Sequence, residues 1–463
     1  MTDTLQEKVS ALAAEHEVAG VAVGVLLDGE EHYAFHGVTS VENPLPVDEK
    51  TLFQFGSTGK TYTAAAMLRL VEQGRVDLDA PVRTYLPDFI MRDTDVAEKV
   101  TVLQLFNHTA GWEGDMMDDT GAGDDALARY VEKMRDLEQV SPLGATVSYN
   151  NASLSLAGHI IATVTGTTYE QAIRDLLLDP LGLKETFFFA NEIAIRRFTV
   201  GHTRHEDGRV TIDSPWQIAR GNAPAGGMSA TARDQIAWAR FHLGDGTAPD
   251  GTRLLQKATL EKMREPTASM VGSALGDHVG ISWLLRDVDG VRLVTHGGTT
   301  HGQHSEFLMV PERNFAIISM TNSGPNGPQL NNELERWALQ HYLGVVDAEP
   351  VRIELSEEAA REYVGTYETI AASCEITAGD GRLQIAVTMK PATLAKYKAA
   401  GQETPDEEQP PLPIAPVSGE GDRYVVTDGP AKGMKGYFSR GADGKIDGVH
   451  VGGRLATRVL VPA

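Results

Sequence analysis

The chain has 463 residues, with 64 acidic and 41 basic side chains and a net charge of −23. A surface this acidic lacks the basic face needed to neutralise phosphates, which argues against a nucleic-acid binder. At 41% hydrophobic and 23% charged residues, the composition is that of a soluble globular protein.

The length predicts two or three domains. The single cysteine, Cys374, excludes an intramolecular disulfide and suits a reducing compartment. The opening "MTDTLQEKVSALAAEHEVAG" has no basic start followed by an apolar run, so no secretory signal is expected. No stretch approaches the roughly 18 uncharged apolar residues of a membrane span. A cytoplasmic protein without membrane or nucleic-acid partners is the expectation, with the oligomeric state left open.

In chain order, residues 4–18 read as an amphipathic helix with Leu5, Val9, Leu12 and Ala13 on one face. "GVAVGVLLDGEEHYAFHGVTS" reads as two strands about an Asp28-Gly29 turn. From Ser57 the pattern is helical, through Ala64, Met67, Leu68 and Val71, and Gly74 is the predicted stop. Residues 81–290 read as mostly helical segments broken by loops, among them the acidic 113–125. Strand signals return at 291–296, 305–310 and 314–320, followed by a closing helix in "LNNELERWALQHYLG". The pattern predicts an α/β (α+β) domain over 1–345: one antiparallel sheet built from both chain ends, flanked by helices, with a helical insertion. A linker at 346–355 leads to a small all-β, barrel-like domain over 356–463. Within it, the Pro- and acid-rich 399–416 reads as a loop.

"FGSTGKTYTAAAMLRL" at 55–70 has two readings. A phosphate-binding P-loop would need glycine where Gln54 stands, and Gly56 makes the loop two residues short. The other reading is a nucleophilic Ser57 with Lys60 one helical turn on. A serine hydroxyl needs a partner to take its proton, and an adjacent buried amine serves. Ser-x-x-Lys occurs once in the chain.

Two further elements join it. Tyr149-Asn150-Asn151 offers a phenol whose ionisation a nearby ammonium would favour, as base or proton relay. Asn151 is placed to hold a substrate amide or Lys60, and the same asparagines also suit a helix N-terminus. His296-Gly297-Gly298-Thr299 ends a predicted strand, where the glycines permit close approach and the Thr299 N–H faces a developing oxyanion. His450-Val451-Gly452 fits the same short pattern but reads as structural, in the β-rich tail. His296, His301 and His304 lack the spacing of a metal site, and no cofactor or metal is expected.

The order Ser57-x-x-Lys60, Tyr149-x-Asn151, His296-x-Gly298 resembles the serine β-lactamase and penicillin-binding-protein superfamily. The class C branch, with its DD-peptidase, D-aminopeptidase and esterase relatives, is the most similar. "NHTAG" (107–111), "DPLGLKET" (179–186) and "APAGGMSAT" (223–231) agree, and the tail resembles the lipocalin-like domain of some members. The resemblance implies Ser57 as acylated nucleophile, Lys60 and Tyr149 sharing proton transfer, and Asn151 on the substrate amide. It further implies an oxyanion hole from the Ser57 and Thr299 N–H groups. His296 stands where β-lactamases carry the lysine of Lys-Thr-Gly, and a neutral histidine is a weaker carboxylate anchor. The implied activity is cleavage of an amide or ester through a Ser57 acyl-enzyme: a peptidase or amidase on D-amino-acid peptides, or a carboxylesterase. The alternatives are a β-lactamase, an acyl transferase or macrocyclising thioesterase, and an inactive binding module on the same fold.

Overall fold

A computed structural model describes all residues except 1, 206, 380–381, 400–409, 420, 430, 442 and 460–463. Helix α1 (Thr2–Glu15) leads into strands β1 (Gly20–Leu27) and β2 (Glu30–Gly37), whose turn has Asp28 and Gly29 both at positive φ. That is the geometry a tight two-residue hairpin needs. Helix α2 (Lys60–Glu72) follows a 3₁₀ turn over Gly56–Gly59. Helices α3 (Asn151–Thr165) and α4 (Ala232–Leu243) follow, with shorter helical segments between them.

Strands β3 (Ala268–Ser273), β4 (Gly276–Val279), β5 (Leu284–Val288), β6 (Val291–Thr295), β7 (Gly298–Thr299), β8 (His304–Val310) and β9 (Phe315–Thr321) precede helix α5 (Asn326–Ala338). Together with the N-terminal hairpin they form one antiparallel sheet in the order β2-β1-β9-β8-β6-β5-β4-β3, with β7 paired to β8. Both chain ends therefore build it, as the pattern predicted. The expectation of mostly helix through residue 290 fails at its end, because 268–288 supplies three strands. Those segments are short and interrupted by glycine turns, so neither alternation nor helical spacing is sustained.

Alternation along β1 sets the two layers. Val21, Val23 and Val25 pack with Leu5, Val9 and Leu12 of α1 and with Leu330 and Leu334 of α5. Ala22 and Leu26 face the other way, into the larger core shared with α2, α3 and α4. Gly24 permits that approach, since a β-carbon there would lie 2.5 Å from Ile236 of α4. The helical part buries Phe106, Trp112, Tyr130, Leu154 and Ile160, each large side chain contributing about 1.5–3 kcal/mol relative to exposure.

Eight strands close a second domain: β10 (Gly365–Glu368), β11 (Ala372–Gly379), β12 (Arg382–Met389), β13 (Leu412–Pro416), β14 (Asp422–Val426), β15 (Lys435–Arg440), β16 (Ile446–Val451) and β17 (Arg454–Arg458). β10 pairs with β17 to complete the barrel. Tyr367, Ile376, Leu383, Ile385, Tyr424 and Phe438 share its interior core. Most of the expected 399–416 loop lies outside the described residues, but Leu412–Pro416 is a barrel strand, and the reading of that part is corrected. Its prolines argue against a paired strand on sequence grounds. In the fold the Pro413 carbonyl still accepts from Thr427 N–H at 2.8 Å. The 346–355 segment is held rather than loose: Ile353 N–H donates to Pro416 at 2.9 Å and Asp347 pairs with Arg286 at 2.7 Å.

The barrel sits against the β3 edge of the sheet. Arg423 of β14 lies on Gly272 of β3, where a β-carbon would come within 2.7 Å of it. The β16–β17 turn, Gly452-Gly453 with both residues at positive φ, reaches beyond that edge to Tyr149.

Candidate active site

Ser57 lies in the 3₁₀ turn that opens α2. Gly56 makes the turn possible, with φ +52° and a backbone packed so tightly that a β-carbon would meet Thr299 N at 2.7 Å. Lys60 is the first residue of α2 proper, and the three-residue spacing folds its side chain back. Its Nζ lies 2.9 Å from Ser57 Oγ and 2.6 Å from the Ala225 carbonyl. Lys60 is fully buried. Burial, with the positive charge of Arg454 added, holds the amine well below the ordinary lysine range; Asp115 offsets this only in part.

The oxyanion region is built by close approach. A β-carbon on Gly298 would lie 2.8 Å from Ser57 N, so the amides of Ser57 and Thr299 lie side by side, with Gly56 and Gly298 between them. Buried hydroxyls lock the two strands' ends to the turn: Thr58 Oγ1 donates to the His296 carbonyl at 2.9 Å, and Ser305 Oγ to the Phe55 carbonyl at 2.8 Å.

Tyr149 stands just before α3. Its ring centroid is 4.9 Å from Lys60 Nζ, and its hydroxyl interacts with the Ser57 side chain. Burial drives its pKa well above the ordinary phenol, and the Ser57 hydrogen bond and the Arg454 charge offset this only in part. The expectation that a neighbouring ammonium favours phenolate is therefore reversed in the resting site. The phenol keeps its proton. Asn150 caps α3, accepting from Ser153 N–H at 2.8 Å, while Asn151 Nδ2 donates to Asp115 Oδ1 at 2.8 Å. The capping and site readings of this motif fall on adjacent residues.

His296 is buried behind this face, 1% exposed, and its Nδ1 donates to the Gly297 carbonyl at 2.6 Å. Burial pulls its pKa down to about 3, so it is uncharged near neutrality. The positive charge facing Tyr149 comes instead from the barrel. Arg454 Cζ lies 5.1 Å from the ring centroid, and the guanidinium makes a two-pronged ion pair with Asp115, its Nη2 3.1 Å from Oδ1. Burial pushes Asp115 up, but Arg454 outweighs it and holds the carboxylate below its ordinary range. Gly453 accepts from Tyr149 N–H at 3.0 Å, and Leu455 N–H donates to Ser148 Oγ at 3.2 Å.

Sequence reasoning thus placed Ser57, Lys60, Tyr149, Asn151, His296, Gly297, Gly298 and Thr299 in one neighbourhood, and the structure brings them together. It missed Arg454, Asp115 and His108. Asp115 lay in the 113–125 loop and His108 in "NHTAG"; for Arg454 the one local sign was a Gly-Gly turn. A cavity of about 460 Å³, lined by His159, Tyr169 and Arg220, lies toward the other end of α3 and includes none of the expected residues. Among the described residues, the group that could hold a metal ion is Glu15, His16 and Glu333, between α1 and α5 and outside this site.

Residues 5–342 match the Beta-lactamase family. The chain belongs to that family. It is a hydrolase of the serine β-lactamase and penicillin-binding-protein type. Penicillin-binding protein 4 of Amycolatopsis lactamdurans is 36% identical over 374 residues, 78% of this chain and 96% of that protein. The crystal structure of SurE with D-Leu is similar over 99% of each chain, with a TM-score of 0.75 and 23% identity, so the fold likeness includes the barrel. The D-amino acid amidase from Ochrobactrum anthropi SV3 complexed with D-phenylalanine is similar over 74% of this β-lactamase-family chain and 99% of its own. Its TM-score is 0.61 at 24% identity.

Proposed function

We propose that the protein cleaves amide or ester bonds through an acyl-enzyme on Ser57, with neutral Lys60 as the base. The observation that carries this is a fully buried amine, 2.9 Å from the Ser57 hydroxyl and held well below the ordinary lysine range. Such an amine is free to accept a proton near neutral pH. Ser57 Oγ attacks the carbonyl carbon as its proton passes to Lys60. The N–H groups of Ser57 and Thr299 face the developing oxyanion. Tyr149, protonated at rest, gives its proton to the leaving amine or alcohol and is refilled from Lys60. Water then attacks the acyl-enzyme, its proton passing by the same route in reverse, which releases the acid and restores Ser57.

For substrate we propose short peptides or amides containing D-amino acids, with simple esters as a second class. Likeness to a structure holding D-Leu along its whole length, and to a D-amino acid amidase, supports this reading. The uncharged His296 disfavours a dedicated β-lactamase, in which a cation at that position meets the substrate carboxylate. Resolution of the acyl-enzyme by an amine in place of water would make the protein an acyl transferase. Product analysis with and without added amine separates the two. No helix of the described residues is long and apolar enough to cross a membrane. With a lone buried cysteine, that supports placing the enzyme in the cytoplasm.

The test is a panel of p-nitrophenyl esters, D- and L-amino-acid p-nitroanilides and nitrocefin, with intact-protein mass read for the acyl adduct. The expected result is an adduct on Ser57, faster turnover of D- than L-anilides, and neither adduct nor turnover in Ser57→Ala. Failure of every acyl probe to add mass would return the protein to the class of binding modules.

A further inference from the structure

Three consecutive backbone N–H groups around Tyr149 are satisfied by residues remote in sequence. Ser148 N–H donates to the His108 carbonyl at 3.0 Å, Tyr149 N–H to the Gly453 carbonyl at 3.0 Å, and Asn150 N–H to His108 Nδ1 at 3.2 Å. One residue, His108, therefore grips the chain on both sides of Tyr149. Its ring also packs on the phenol, with centroids 4.6 Å apart and planes inclined by 42°. To do this its backbone takes φ +60°, a left-handed conformation that is costly for a residue with a β-carbon.

The hydrogen bonds fix the protons. Nδ1 of His108 accepts, so its proton is on Nε2; Nδ1 of His296 donates, so its Nε2 carries a lone pair. Both Nε2 atoms are buried, and neither has a hydrogen-bond partner among the described residues. The two are complementary, one donor and one acceptor. The His296 ring is the second imidazole against Tyr149, with centroids 6.2 Å apart. Burial keeps both imidazoles uncharged at neutral pH. A cation in either ring would add to the charge of Arg454 beside one phenol.

We propose that His108 is the positioning residue of Tyr149: it templates the backbone on both sides of the phenol and, with His296, walls the ring so that its hydroxyl stays aimed at Ser57. The proposal rests on reading Tyr149 as the proton carrier. His108 touches no reacting atom, so its whole effect on acylation passes through Tyr149.

A double-mutant cycle tests this. His108→Asn keeps an acceptor near the Nδ1 position and is the substitution that best tolerates a left-handed φ, but it removes the ring. Single-turnover acylation by a p-nitrophenyl ester is measured in wild type, H108N, Y149F and the double variant, with melting temperature alongside. H108N is expected to slow acylation about tenfold, with KM changed less than twofold and melting temperature unchanged. In the Y149F background the same substitution is expected to change the rate less than twofold. A normal rate in H108N, or an equal loss in both backgrounds, overturns the proposal. A normal rate in Y149F overturns the reading of Tyr149 itself, so the two failures are distinguishable. If H108N does not fold, the same cycle with His296→Asn reads the wall from its other member, and additivity there is equally fatal.

Discussion

Arg454 and Asp115, 339 positions apart in the chain, form a two-pronged ion pair where the barrel meets the β-lactamase-like domain. Asp115 also holds Asn151, and Arg454 lies over the Tyr149 ring. The pair therefore links the end of the barrel to the Tyr149-x-Asn151 element of the site, and its arginine helps hold the Lys60 pKa below the ordinary lysine range.

Replacing Arg454 with Met removes a positive charge that lowers the Lys60 pKa, so that pKa rises. Activity depends on the neutral amine and grows with pH through this pKa, so the acid limb of the acylation profile moves to higher pH. Once the pKa exceeds the assay pH, each further unit of rise lowers the neutral fraction, and with it the rate, by about tenfold. The profile of acylation rate against pH for R454M checks this; an unmoved limb would remove Arg454 from the electrostatics of Lys60.

Ending the chain at residue 355 is expected to leave the first domain folded and its acylation at least roughly tenfold slower. A barrel read only as an appendage predicts altered substrate preference or solubility with intact chemistry. The Gly453 carbonyl on Tyr149 N–H and the Leu455 N–H on Ser148 point the other way. Circular dichroism with burst kinetics on the truncated protein decides between them.

Lys60→Met separates chemistry from stability. Loss of the base lowers acylation by roughly 10²–10⁴-fold. Stability falls by no more than about 1–3 kcal/mol, the cost of leaving the Ala225 carbonyl without its donor. Chemical denaturation beside burst kinetics measures both.

Acid stability follows from buried neutral histidines. Burial pulls His296 and His450 to about 3 and His304 to about 4, against an ordinary value of 6.5. Below pH 6.5 the unfolded chain binds protons at these sites and the native chain does not. The stability they contribute is therefore complete above 6.5 and falls as pH drops toward their native values. Urea midpoints are expected to decline steadily from pH 6.5 to 4, and His304→Asn to flatten the slope.

What was legible in the sequence was local. Ser57 and Lys60 meet because three residues span one turn at a helix start, and the alternation of β1 follows from its apolar run. The strands at 268–288 were not legible, because each is short and their pairing, not their composition, makes them strands. Leu412–Pro416 was hidden by its prolines. Arg454 was beyond reach for another reason. Nothing near it in the chain marks an arginine as a neighbour of Tyr149, and the contact exists only once a closed barrel is docked on the sheet edge. The resting protonation of Lys60 and Tyr149 was equally invisible, because burial sets it and spacing does not.

The distance along the chain between Asp115 and Arg454 bears on biosynthesis. A growing polypeptide on the ribosome carries its serine, lysine and tyrosine long before the arginine has been translated. Until the barrel closes and docks, the nascent enzyme lacks the cation that lowers the pKa of its amine, and slower acylation is expected of it.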